Sequence, residues 1–150
     1  MKAKEGAVGK INWTRVLIGG LVAGVVVNVL SFAAWAIFVR RDLSAALDAL
    51  GQPLQETVGT SVLMVVLGFV AGILLIWLYA AIRPRYGAGP GTAALAGVAA
   101  GVLLVIPNIG WGSMIRAIPA GVWAIDAVDT LVVSVVATLL GAWVYKEEGP

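Results

Sequence analysis

Apolar residues in this chain come in long unbroken runs, not in the alternation of a half-buried strand or the one-sided stripe of a surface helix. Four runs, near Val16–Val39, Val58–Ile82, Thr92–Ile115 and Gly121–Tyr145, dominate the sequence. Each is long enough to cross a bilayer, which takes roughly 20 predominantly apolar residues in a helix. The six tryptophans, Trp13, Trp35, Trp77, Trp111, Trp123 and Trp143, all fall near the ends of these runs. Amphipathic indoles settle there, at the headgroup level. The pattern predicts an all-α fold: an integral membrane four-helix bundle that makes the chain a single transmembrane domain.

The connections are short and well punctuated. Arg83-Pro84 is expected to end the second span, because proline disfavours the α conformation in the residue before it. Gly87–Gly91 then reads as a tight turn, with Thr92 as the N-cap of the third span, and Ile118–Gly121 as a second tight turn. The longer first loop, Arg40–Thr57, carries Leu43, Ala46, Leu47 and Leu50 at i, i+3, i+4, i+7 spacing, opened by Asp42 and stopped by Gly51 and Pro53. That spacing predicts a short amphipathic helix in the first external loop, lying on the membrane surface or over the bundle mouth.

Charge sets the orientation. A cytoplasmic N-terminus places Lys2, Lys4, Lys10, Arg15, Arg83, Arg85 and Lys146 on one side, and Arg40, Arg41 and Arg116 on the other. Short loops retain their basic residues in the cytoplasm, so both termini are expected inside. A cleaved signal peptide is the competing reading of the first run, with Ala34-Trp35-Ala36 as the cleavage-like site. The apolar run continues past it through Val39 into Arg40-Arg41, which favours a span.

Small residues recur within the runs. Gly20 and Gly24, Gly68 and Gly72, and Gly97 and Gly101 each form a small-xxx-small patch, with Ala137 and Gly141 as a weaker version. Such patches let helix backbones approach closely, which matters where lipid supplies no hydrophobic drive for pairing. They predict tight packing within the bundle or against a second copy.

Polar residues are few and gather toward one membrane face. On the fourth run Asp126, Asp129, Thr130, Ser134, Thr138 and Gly141 recur at three- and four-residue steps and share a helix face. Asn28 and Ser31, Thr60 and Ser61, and Asn108 lie at a similar level on the other runs, and Arg116 sits at the outer end of the third. Two readings follow. Arg116 pairs with Asp126 or Asp129 and the asparagines cross-link helices; or an outward pocket binds a small polar solute, cation or proton with Asp129 as its titrating group. Pro107, beside Asn108, could kink its helix toward such a cavity.

With no cysteine and no histidine, the chain lacks thiolate and imidazole chemistry and the usual ligands of haem, iron–sulfur and zinc sites. No metal or cofactor site is expected. A net charge of +2 carried beside the spans offers no nucleic-acid patch, and no phosphate loop or sugar cleft is present.

The stretch Trp77–Gly97, with Arg83-Pro84-Arg85 and the glycines and proline of Gly87–Gly91, resembles a segment of small four-span bacterial membrane proteins. The resemblance implies a multi-pass protein of the bacterial inner membrane and brings no activity with it. The expectation is a non-enzymatic structural or accessory protein, partnered by the bilayer and by itself or a larger membrane complex. The alternative is a minimal transporter or channel component built on the pocket around Asp129.

Overall fold

The computed structural model describes residues 11–146. Lys2, Lys4, Lys10, Glu147 and Glu148 lie outside the described residues, so the basic N-terminal segment enters the structure only from Ile11. Helix α1 (Trp13–Ala34) opens on Asn12, whose side chain accepts the Arg15 N–H at 3.0 Å, a standard use of asparagine at a helix start. It runs into a single π-helical turn, Trp35–Val39, and from there without interruption into α2 (Arg40–Ala49). Helices α3 (Val58–Tyr86), α4 (Pro90–Met114) and α5 (Ala120–Val144) complete the chain. The α1 rod and helices α3, α4 and α5 are each long and apolar enough to cross a membrane.

Helix α1 runs antiparallel to α3 and α5, and α4 to α5. Helix α1 packs most closely on α3 and α5, and α4 on α5, while α3 and α4 touch only lightly. Glycine sets the approach at these seams. A Cβ built on Gly20 would lie 2.6 Å from Ile73 Cα of α3, and one on Gly72 would meet the backbone of Gly20 and Gly24. Across the other seam, a Cβ on Gly97 would lie 2.6 Å from Val135 Cα, and one on Gly101 3.1 Å from Leu131 Cα. Any side chain at these positions would force the backbones apart.

The packed core lies in one half of the bundle, toward the end that carries Ile11 and Tyr145. Val16, Ala23, Ile76, Tyr79, Ala93, Ala96 and Ala137 are buried there, and Ile76 fills the space beside Gly19 of α1 and Gly141 of α5. The other half, at the α2 end, is loosely packed. Residues Val58–Leu67 of α3 are exposed on every side, and α4 is exposed or half-buried from Val102 onward. Three tryptophans stand at each end: Trp13, Trp77 and Trp143 beside the core, and Trp35, Trp111 and Trp123 at the α2 end.

Three local expectations need correction. Pro84 does not end α3; the helix continues to Tyr86 and stops at Gly87, whose φ of 85° no L side chain adopts readily. A proline in the last turn forfeits one hydrogen bond, and the preference against a helical residue before it is a bias that the packing of α3 overrides. Thr92 does not cap α4 either. The helix begins at Pro90, whose fixed φ suits the first helical position, and the Thr92 hydroxyl donates instead to Tyr86 O at 3.3 Å. Finally, the short helix of the first loop is the continuation of α1, not an element set apart from it.

Candidate functional site

The polar residues singled out in the sequence share a level along the bundle axis but divide among its seams. Asn28, on α1, turns toward α3. Its Nδ2 donates to Gly24 O of its own helix at 2.8 Å and across the seam to Val65 O at 3.2 Å. A Cβ on Gly68 would strike this amide, so the missing side chain is what seats Asn28 there. Its role is to bridge two helices.

On α5, Asp126 and Asp129 point to different neighbours. Asn108 of α4 donates through Nδ2 to Asp126 Oδ2, and the Asp126 side chain remains exposed. Asp129, nearly one turn further along, is half-buried and interacts with the Ser31 hydroxyl of α1 and with the charge of Asp126. The first half of α5 is therefore tied to α4 by one carboxylate and to α1 by the other. Beside Asn108 is an open pocket of about 200 Å³, lined by Ile109, Gly112, Trp123, Ala124 and Ala127. The indole of Trp123 packs over Gly112, where a Cβ would lie 2.9 Å from the ring. Asn108 Oδ1 and Trp123 Nε1 are both buried here without a hydrogen-bond partner, an arrangement native structures rarely tolerate.

Arg116 stands apart. It is exposed in the connection between α4 and α5 and forms no ion pair with Asp126 or Asp129. The expected bridge across the turn is absent, because Asp126 already binds Asn108 and Asp129 faces α1. Pro107 lies within an α4 that remains helical from Pro90 to Met114.

Deeper along α5, Ser134 is buried against Gly101 of α4. The Thr138 hydroxyl donates back to Ser134 O at 2.6 Å, which satisfies both groups within their own helix. From that level inward Ile76, Ala137 and Thr138, each 0% exposed, close the bundle axis. Among the described residues, the polar groups do not continue as a track through the packed half.

Sequence reasoning missed two features. Gly19 meets α5 directly, with a Cβ placed 2.7 Å from Gly141 O; the Gly19-Gly20 pair signalled it only once the α1–α5 seam is known. At the core end, Tyr79 and Tyr145 are 4% exposed and meet edge to face at 5.9 Å. The Arg83 guanidinium lies over the Tyr145 ring at 5.5 Å. The Tyr145 hydroxyl accepts the Asn12 N–H and the Tyr79 hydroxyl accepts the Gly89 N–H, both at 3.4 Å. This cluster locks three helix ends and the α3–α4 turn together.

At the α2 end the one ion pair among the described residues joins Arg40 to Glu56. Arg40 Nε and Nη2 donate to the two carboxylate oxygens at 3.0 and 2.8 Å, and the guanidinium also sits 5.6 Å from the Trp35 ring centre. No three metal-ligating side chains converge among the described residues. No family model matches the chain, and neither a curated protein nor a solved structure shows significant similarity to it.

Proposed function

We propose that this chain is a non-enzymatic multi-pass membrane protein that acts by helix association, with a second copy or within a larger membrane complex. Both termini lie in the cytoplasm in this reading, and the α2 end faces outward. The Trp77–Gly97 resemblance supports the bacterial inner membrane as its location. The observation that carries the proposal is the Asn108–Asp126 pair on the outside of the α4–α5 seam. Asp126 lies about 9 Å along the axis from the start of α5 at 1.5 Å per residue. A carboxylate at that depth is costly when it faces lipid and is normally turned toward protein or water. A helix of another chain, set against α4 and α5, would cover it. The loosely packed half of the bundle leaves room for that helix beside the exposed start of α3.

The second reading, a minimal transporter or channel component, draws on Asp129. That carboxylate sits between α1 and α5 where the bundle is open toward the α2 end. The closed axis at Ile76, Ala137 and Thr138 weighs against a path through a single copy.

Extraction from the native membrane in mild detergent, followed by particle mass and identification of what co-purifies, separates the two. Association predicts a particle of fixed stoichiometry above the monomer mass, which Asp126→Asn or Asn108→Ala dissociates without unfolding the bundle. A monomer of 15.5 kDa with no companion refutes it. Solute-dependent stabilisation lost in Asp129→Asn would then favour the second reading.

A further inference from the structure

Helix α2 and the segment that follows it enclose an open pocket of about 490 Å³, lined by Arg40, Arg41, Ser44, Asp48, Leu54 and Glu56. That volume falls within the range of small-molecule sites, about 300–1,000 Å³. Its side chains divide into a frame and a free set. Arg40 and Glu56 engage each other in the bidentate pair, which joins the start of α2 to the segment before α3. Arg41 and Asp48 form no ion pair among the described residues, so the pocket holds one uncommitted cation and one uncommitted anion. Positions 41, 44 and 48 follow i, i+3, i+7 spacing and share a face of α2. The two charges are separated by about 10 Å of helix axis at 1.5 Å per residue, and both line the pocket with Ser44 between them. The Ser44 hydroxyl donates its proton to Arg41 O at 3.0 Å, so toward the pocket its oxygen is an acceptor only.

We propose that this pocket binds a zwitterion in which a phosphate is joined by a short linker to a primary ammonium, as in a phosphoethanolamine group. Arg41 meets the phosphate with its planar fork of donors. Asp48 and the Ser44 oxygen accept from the ammonium, and the Arg40–Glu56 pair holds the far wall. The proposal rests on reading the chain as a membrane bundle, because the pocket then lies where α1 leaves the bilayer, at the depth of a phospholipid headgroup beside Trp35. A quaternary trimethylammonium group has no proton to give Asp48 or Ser44 and is disfavoured.

The test uses the full chain purified in detergent, with bound lipid counted by native mass spectrometry and thermal stability followed during titration. Carbonate-resistant retention in the membrane fraction is scored separately, so a failure of membrane insertion is not mistaken for a failure of this site. Phosphatidylethanolamine is expected to bind at one copy per chain, roughly tenfold tighter than phosphatidylcholine or phosphatidylglycerol, the worth of about one charge-assisted hydrogen bond. Arg41→Gln and Asp48→Asn, at exposed positions, are each expected to abolish that preference, and Arg41→Lys to retain part of it. Competition by free phosphoethanolamine, with no lipid retained, would support the same chemistry and assign the ligand to the aqueous phase. Equal binding of ethanolamine and choline lipids, or full preference in both charge variants, overturns the proposal.

Discussion

At the scale of single residues, the glycines of this bundle divide by what a side chain would meet. At Gly72 a methyl group would run into the backbone of α1, which cannot rotate away as a side chain can. At Gly110, in the exposed part of α4, it would meet nothing within 4 Å. Gly72→Ala is therefore expected to destabilise the bundle by about 1–3 kcal/mol, the usual range for overpacking. Gly110→Ala is expected to be neutral or to stabilise by up to about 1 kcal/mol, since alanine loses less entropy in a helix. Reversible denaturation in mixed detergent micelles measures both. Equal effects would show that the backbone contact at Gly72 does not limit packing. Gly19 belongs with Gly72, and its importance was hidden in the sequence. Position along a run reports depth, because a helix rises by a constant step per residue, whereas rotation about the axis depends on which helices pair. The same limit applies to the polar residues. The sequence orders them along their helices but not among the α1–α3, α1–α5 and α4–α5 seams, and one of its two readings paired Arg116 with Asp126 or Asp129, where Asn108 holds Asp126 and Ser31 meets Asp129.

At the scale of elements, α2 is held at two points: the π turn that carries it on from α1, and the Arg40–Glu56 pair that fastens it to the next segment. Hydrogen bonds from Arg40 keep the Glu56 carboxyl below its ordinary value of 4.5; desolvation opposes this and the guanidinium charge adds to it. A carboxyl depressed in the closed state stabilises that state above its ordinary pKa. The stabilisation disappears as pH falls through the depressed value. The separation of nitroxide labels at Ala49→Cys and Gln55→Cys should stay constant between about pH 6 and 8 and widen in acid below about pH 4. Glu56→Gln should show the wide separation at every pH. A distance that ignores both pH and the substitution would mean the π turn alone positions α2. Leu43, Ala46 and Leu47 lie within α2, and Gly51, with φ of 69°, stands just beyond it. The continuity of α2 with α1 was not readable, because a π turn leaves no mark in a run already apolar.

At the scale of the whole molecule, a tight half and an open half face opposite ways along one axis. Glycine seams, Ile76 and the Tyr79–Arg83–Tyr145 cluster make the first half rigid. The polar groups and the α2 pocket occupy the second, where helices are exposed to their surroundings. If the chain crosses a bilayer with its basic termini inside, the rigid half lies in the cytoplasmic leaflet and every candidate binding feature faces out. The sequence offers a direct test because it contains no cysteine, so a single introduced thiol reports one location. Gln52, after α2, and Ala88, in the α3–α4 turn, are both exposed. In intact cells a membrane-impermeant maleimide should label Gln52→Cys, and it should reach Ala88→Cys only after the membrane is opened. The reverse pattern would invert the protein and put the α2 pocket and the Asp126 surface in contact with the cytoplasm. Labelling of both thiols in intact cells would be incompatible with four crossings, because α3 alone separates the two positions by about 40 Å of helix at 1.5 Å per residue.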